Sequence, residues 1–253
     1  MAEKAVYTHG HHSSVLSSHT WRTVKNSAAF LIPYLKPNLA ILDIGHVTGV
    51  DYSHDVVDNA KAYAVERGVT NIAFQQADAN HLPFPDASFD VVHCHQVLQH
   101  VADPVQVLRE MRRVTRSGGI VAAREVDFTS IAWWPLLDGM DDWLNKYNAV
   151  ARANGGDPAA GRKLHVWAKE AGYPAESLTL TAGAWCYATP QERAWWSTVW
   201  AERTLSSNFA PTALKHGIHT QESLEKTAEV WRKWGADEDG WWSCLHGELV
   251  SKV

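Results

Sequence analysis

Cysteine is scarce in this 253-residue chain. Cys94, Cys186 and Cys244 lie far apart with no C-x-x-C spacing, which excludes a disulfide scaffold and a thiolate zinc site. No apolar run approaches the length of a membrane span, and the opening MAEKAVYTHGHH is too polar for a secretory leader. Basic residues are not in excess either. With 23 Lys and Arg against 28 Asp and Glu, the net charge is −5, so there is no electrostatic footprint for nucleic acid or an anionic membrane surface. These absences lead us to expect a soluble, cytoplasmic protein that acts on a small molecule.

What is present is an ordinary globular balance, 45% hydrophobic and 20% charged, with thirteen tryptophans. Twelve of them fall at or after Trp133, so the two halves differ in chemistry. Helical spacing of Trp21, Val24, Ala28, Leu31 and Leu35 predicts a helix over Ser18–Leu35, shortened by Pro33 and stopped by Pro37. Leu39–Gly45 reads as a buried strand, and His46–Asp51 follows at once as a second. Ser53–Arg67 is a predicted helix with Ser53 as N-cap and Gly68 past its end. Strands are predicted at Asn71–Gln76, Phe89–His95 and Ile120–Val126, with a helix at Pro104–Val114. Strands alternating with helices imply a parallel, doubly wound α/β sheet. Beyond residue 130 the spacing predicts helices over Leu136–Ala153, Pro158–Ala171, Glu192–Ser206 and Gln221–Trp234. Further strands are expected at Leu178–Ala188 and Trp241–Val250.

Open α/β sheets bind ligands at the carboxyl ends of their strands. Those ends carry Asp43, Asp51, Asp78 and the pair His95-Gln96. A carboxylate offers paired acceptor oxygens, which suits an acid ending the second strand to the two hydroxyls of a ribose. His93 and His95 share one strand face, but spacing supplies no third ligand, so no metal site is expected. Asp43 and Asp78 have a local reading too, as caps of neighbouring backbone groups. His100 is read as holding the turn before Pro104, with a catalytic base as the weaker alternative. The tryptophans fit either a packed core or an aromatic cap over an apolar or planar ligand.

The successive segments Ile-Leu-Asp-Ile-Gly45, Val-Thr-Gly-Val-Asp51-Tyr-Ser, Gln-Ala-Asp78-Ala, Leu-Pro-Phe-Pro-Asp86-Ala-Ser-Phe-Asp90-Val-Val, Leu-Gln-His100-Val-Ala-Asp-Pro104 and Arg-Ser-Gly-Gly119 resemble the motifs of class I S-adenosylmethionine (SAM) methyltransferases. They are most similar to the small-molecule enzymes of ubiquinone and menaquinone biosynthesis. The resemblance runs from about Ile41 to Val126. It implies a Rossmann-like sheet, SAM as cofactor and a small-molecule methyl acceptor. It also implies that Asp43, Gly45, Asp51, Tyr52, Asp78, Ala79, His95 and Gln96 contact the cofactor. Within that set Asp51 takes the ribose, Tyr52 the adenine face, Asp78 and Ala79 the adenine edge, and His95 with Gln96 the methionine side. The segment from Tyr7 through Trp21-Arg22 resembles the N-terminal cover found in some of these enzymes. The expected organisation is a cover over residues 1–38, a core over 39–130 and, over 131–253, a part that completes the sheet and carries a helical, Trp-rich cap.

One element of the resemblance is missing. The family places a Gly-x-Gly-x-Gly loop and a helix between its first two strands, whereas here Gly45 runs directly into His46-Val-Thr-Gly-Val-Asp51. About 15–20 residues are absent, the size of one loop and a short helix. A parallel neighbour ordinarily needs a crossover of about a dozen residues, so the pattern predicts a disturbed sheet or one long strand over Leu39–Asp51. It also leaves a non-catalytic binding form, a splice or truncated form and a nicotinamide oxidoreductase as alternatives to an active methyltransferase.

Overall fold

The computed structural model describes residues 21–44 and 48–253. They form one seven-stranded sheet in the order β3-β2-β1-β4-β5-β7-β6. Its strands are β1 (Ile41–Ile44), β2 (Thr48–Asp51), β3 (Ala73–Gln76), β4 (Phe89–His95), β5 (Thr115–Trp134), β6 (Leu178–Tyr187) and β7 (Trp241–Lys252). The described helices are α1 (Val24–Ser27), α2 (His54–Glu66), α3 (Pro104–Val114), α4 (Met140–Ala153), α5 (Ala160–Glu170), α6 (Pro190–Ser206), α7 (Phe209–Lys215) and α8 (Gln221–Ala236). β1 to β5 are parallel, as expected, while β7 runs antiparallel to both β5 and β6.

The sheet is not disturbed where the sequence predicts it to be. β1 and β2 are separate and parallel, with Asp43 opposite Gly49. That register sets Thr48 beside Leu42, so the chain falls back two residues along the strand and steps across one strand spacing. The two displacements sum to about 8 Å, and the four links from Ile44 to Thr48 span up to about 13 Å. Each strand is also held by its other neighbour, β1 by four pairs to β4 and β2 by four pairs to β3. No crossover helix separates them, because only residues 45–47 lie between. Gly45, His46 and Val47 lie outside the described residues, as do residues 1–20 and with them most of the expected N-terminal cover.

Other expectations hold in detail. The Ser53 side chain caps α2 through the Val56 amide, and Gly68 follows with φ +64°. Pro104 opens α3 as expected, and the structure adds Asp103 as its cap. The predicted helix over Ser18–Leu35 is corrected. Within its described part, α1 is a short capped turn, and Ala29–Tyr34 is a 3-10 segment containing Pro33. A proline has no N–H to continue an α-helix and clashes with the preceding turn. β5 extends well past Val126 to Trp134 along its partner β7, and α7 is an element the periodicity did not reveal.

Three apolar clusters hold the molecule together. One packs Leu42, Val50, Val92, Cys94, Val121 and Ala123 under α3 and α5, with Leu108, Met111 and Leu164. α5 comes so near that Gly161 and Gly247 meet backbone to backbone, with no room for a side chain on Gly247. On the opposite face Leu31 packs against Val91, Ala122 and Val250, with Phe30 and Ile41 alongside. Residues 28–34 therefore cover part of that face. The third cluster is aromatic and fills the carboxyl-terminal half, where Trp143, Trp200, Trp231, Trp234 and Trp242 are essentially inaccessible. These five belong to the core, the first of the two readings offered by the sequence. Trp143 meets Trp231 edge-on at 4.6 Å, and Trp200 stacks on Trp231 at 5.5 Å. Trp231→Ala is accordingly expected to cost about 3–5 kcal/mol, measured by urea unfolding with an unchanged m-value. A loss below about 1 kcal/mol would contradict this packing.

Candidate cofactor and acceptor site

The predicted acids stand at the strand ends where the sequence places them. Asp51 closes β2, and its Oδ1 accepts the Ser53 amide at 2.7 Å. Tyr52 beside it is 59% exposed, and its carbonyl accepts the Gln76 side-chain amide at 2.8 Å. Asp78 follows β3. Its Oδ1 accepts both the backbone and the side-chain amide of Asn80, at 2.9 and 2.8 Å. Ala79 lies partly buried against the core. Asp51 and Asp78 thus shape local turns as well as lying at the sheet's ligand end.

The end of β1 differs. Asp43 accepts a hydrogen bond from His93 Nδ1 at 3.1 Å across the β1–β4 ladder, and His93 Nε2 is buried without a partner. Asp43 is therefore engaged within the sheet.

At the end of β4 a polar cluster replaces apolar packing. His95 Nε2 accepts from Arg124 Nη1 at 2.9 Å, and Arg124 Nε donates to Glu248 at 3.1 Å. Gln96 adopts a left-handed backbone with φ +56°, a conformation that disfavours a β-carbon. It is held there by its amide donating to Arg124 O at 2.8 Å. Its side chain links two elements: Oε1 accepts from Arg22 at 2.7 Å, and Nε2 donates to His246 Nε2 at 2.9 Å. The Trp185 ring lies against the group, 4.3 Å from His246 and 5.6 Å from His95, with the Arg124 guanidinium 5.1 Å from its centre. Burial and the nearby arginines push His95 and His246 well below the ordinary histidine range, so both rings are uncharged. Trp21 meets Trp185 edge-on at 5.1 Å and stacks with Trp195 at 5.8 Å, forming a half-buried aromatic wall.

Sequence reasoning missed Arg22, Arg124, Glu125, His246 and Glu248 as site residues. The signal was the charged pair Arg124-Glu125 inside the apolar run Gly119-Ile-Val-Ala-Ala-Arg-Glu-Val126, where unpaired charges are not tolerated.

Glu125 is completely buried. One carboxylate oxygen accepts the Val97 and Leu98 amides at 2.8 Å each, and the other accepts Gln99 N at 3.3 Å. It thereby caps the 3-10 turn Leu98–His100 that follows β4. His100, within that turn, is pushed down to about 3 by burial, Arg22 and Arg203. Its Nε2 lies 3.0 Å from the Gln99 amide. Such a group is a poor match for a general base near neutral pH. Among the described residues no group of His, Cys, Asp or Glu converges as a metal site would require.

Known proteins resemble this chain in sequence and in fold. A methyltransferase-domain family matches residues 29–123. An uncharacterized methyltransferase of Schizosaccharomyces pombe is 33% identical over 229 residues, covering 81% of this chain and 82% of that protein. Among solved structures, a Bacillus halodurans protein described as a methyltransferase aligns with TM-score 0.54 at 19% identity, covering 89% of this chain and 96% of its own. A Haemonchus contortus phosphoethanolamine N-methyltransferase, solved with phosphomonomethylethanolamine and S-adenosylhomocysteine, aligns with TM-score 0.52 at 15% identity. It covers 94% of this chain and 58% of its own. Sheet order and these likenesses define the class as a Rossmann-like methyltransferase fold. The chain belongs to the SAM-dependent methyltransferase family. Nothing in these likenesses speaks for a nicotinamide oxidoreductase or a non-catalytic binder.

Glu125 generates a pH prediction. Burial raises it from its ordinary 4.5 to about 7, against the opposing pull of three amides and Arg22. Between those values the folded chain keeps a proton that the unfolded chain releases, so stability falls as pH rises through the window, by about 3 kcal/mol in all. Glu125→Gln cannot ionise. Urea unfolding of both proteins at pH 4.5 and pH 8 should show the wild type losing about 3 kcal/mol relative to the variant at the higher pH. An equal difference at both would mean that Glu125 does not titrate there.

Proposed function

We propose that the chain binds SAM across the carboxyl ends of β1 to β4 and passes its methyl group to a small molecule. The observation that carries this reading is the ordered set of polar side chains, Asp51, Asp78, His95 and Gln96, at successive strand ends of an intact methyltransferase sheet. The residues fit the adenosine half: Asp51 offers acceptor oxygens to the ribose, with Tyr52, Asp78 and Ala79 around the base. They fit the methionine half less completely, since Asp43 is taken by His93 and only three residues stand where the family has a loop and helix. Arg22, His95 and Gln96 are the side chains left to meet that end.

Bound there, the cofactor supplies an electrophilic methyl on a sulfonium, a group that already carries its leaving group. The protein's own contribution is orientation and exclusion of water. Trp21, Trp185 and Trp195 offer aromatic faces beside His95 and His246, which suits a planar aromatic or apolar methyl acceptor. The three cysteines are unpaired and no described helix is long and apolar enough to cross a membrane, which supports a cytoplasmic setting.

Isothermal titration with SAM is the test. Saturable binding is expected, weakened about tenfold or more by Asp51→Ala, on the scale of one lost charge-assisted hydrogen bond to the ribose. No heat at millimolar SAM would overturn the reading for this chain. A second titration addresses the short connection. Inserting a Gly-x-Gly-x-Gly loop and short helix of the family's pattern between Gly45 and His46 is expected to raise affinity at least about tenfold, because a helix N-terminus adds several N–H donors. Unchanged affinity would show that the side chains already serve in its place.

A further inference from the structure

His95 is contacted from three directions. β5 contributes Arg124, β7 His246 and β6 the Trp185 ring, while the charge of Arg22 on the amino-terminal segment and the ring of His93 on β4 also act on it. Of these contacts, one decides the chemistry of the ring. A guanidinium has five N–H groups and no acceptor, and it keeps its charge in proteins. Arg124 Nη1 lies 2.9 Å from His95 Nε2, so Nε2 must present its lone pair, and the ring proton of the neutral imidazole is on Nδ1. Arg124 has no freedom to turn away. It is 2% exposed, its Nε is committed to Glu248, and Glu248 in turn accepts from Thr181 at 2.8 Å.

We propose that Arg124 is a positioning residue that fixes His95 as its Nδ1–H tautomer, so that the histidine at the end of β4 offers a hydrogen-bond donor to the ligand and takes no proton from it. The ligand group meeting His95 is then an acceptor, best an anionic oxygen. That docking clause rests on the site proposed above, whereas the tautomer is a property of the protein alone. The geometry of His246 is parallel. Gln96 Oε1 is committed to Arg22, so Gln96 Nε2 donates to His246 Nε2, and His246 Nδ1 faces Cys244 Sγ at 4.0 Å. Two adjacent rings thus share one tautomer, each set by a donor whose own acceptor or anchor lies on another element. The field of Arg22 and Arg124, added to burial, keeps His95 from protonating. Since Nε2 is occupied and Nδ1 already bears hydrogen, His95 has no basic site to offer an acceptor hydroxyl.

Nitrogen-15 NMR of histidine-labelled full-length protein tests this without cofactor or substrate, with the His95 signals identified by their loss in His95→Asn. In the wild type, Nδ1 should show the shift of a protonated ring nitrogen and Nε2 that of a bare one, unchanged between pH 5 and pH 8. Removing Arg124 alone would strand Glu248, so the variant is R124M/E248M. There His95 should average between tautomers and titrate toward the ordinary histidine range. A wild-type His95 protonated on Nε2, or titrating near pH 6.5, would overturn the proposal. The same tautomer and the same flat titration in a folded R124M/E248M protein would overturn the role of Arg124. Because the wild-type measurement stands without any variant, a misfolded double mutant leaves the tautomer itself decided. Failure of SAM to bind would count against the proposed function and leave this result untouched.

Discussion

A guanidinium buried within a sheet is the constraint on which the ligand end of this molecule is built. Arg124 has no route to water, and its N–H groups must all be turned to account. It reaches His95 on β4, Glu248 on β7 and the face of Trp185 on β6. Three strands are thereby tied at one point. The desolvation of such a pair is a heavy cost, and well-packed apolar residues often serve stability better. What such a pair supplies is specificity of arrangement, because a charge with several fixed partners tolerates only one register.

The two faces of the sheet follow different rules. Beneath α3 and α5 the packing is apolar, and Glu125 spends its carboxylate on three backbone amides. The opposite face carries His93, His95, Arg124, His246 and Glu248 in one band, bordered by Leu31, Val91, Ala122 and Val250. Adjacent β5 residues therefore face opposite sides of the sheet. Arg124 serves the ligand side, while Glu125 holds from below the turn that Arg124 receives from above through the Gln96 amide. The aromatic core of the carboxyl-terminal half stands behind this band and keeps β6 and β7 in place.

The sequence disclosed most of the elements because periodicity and caps are local. Ser53 with Gly68, and Pro104, mark α2 and α3 to within a residue. The strand-end acids Asp51 and Asp78 were equally legible, since their place depends only on where each strand stops. The rest depended on partners distant in the chain. His246 lies 150 positions from Gln96, and Glu248 lies 124 from Arg124. No spacing rule links such pairs, and β7 returns antiparallel between β5 and β6, an arrangement that strand-helix alternation does not announce. The tryptophans were ambiguous for a related reason: burial is set by which helices meet, and composition alone cannot separate a core from a cap.

The short connection between β1 and β2 posed the opposite problem, a local rule that tertiary structure overrode. Three residues leave no room for a crossover helix, and a hairpin would be the local answer. The strands remain parallel because β4 and β3 hold them from outside, and because a register that sets Thr48 beside Leu42 asks the chain to recover only about 8 Å. The consequence falls on chemistry more than on stability. A helix N-terminus would have brought backbone N–H groups to an anionic ligand end. Asp43 is bonded to His93, and the donors of the proposed site near that end belong to side chains, Arg22 and the Nδ1–H of His95. Backbone donors cannot change their role, whereas a histidine donor lasts only while something holds its tautomer. In the proposed site that makes Arg124, which acts through His95, the group on which recognition at this end would depend.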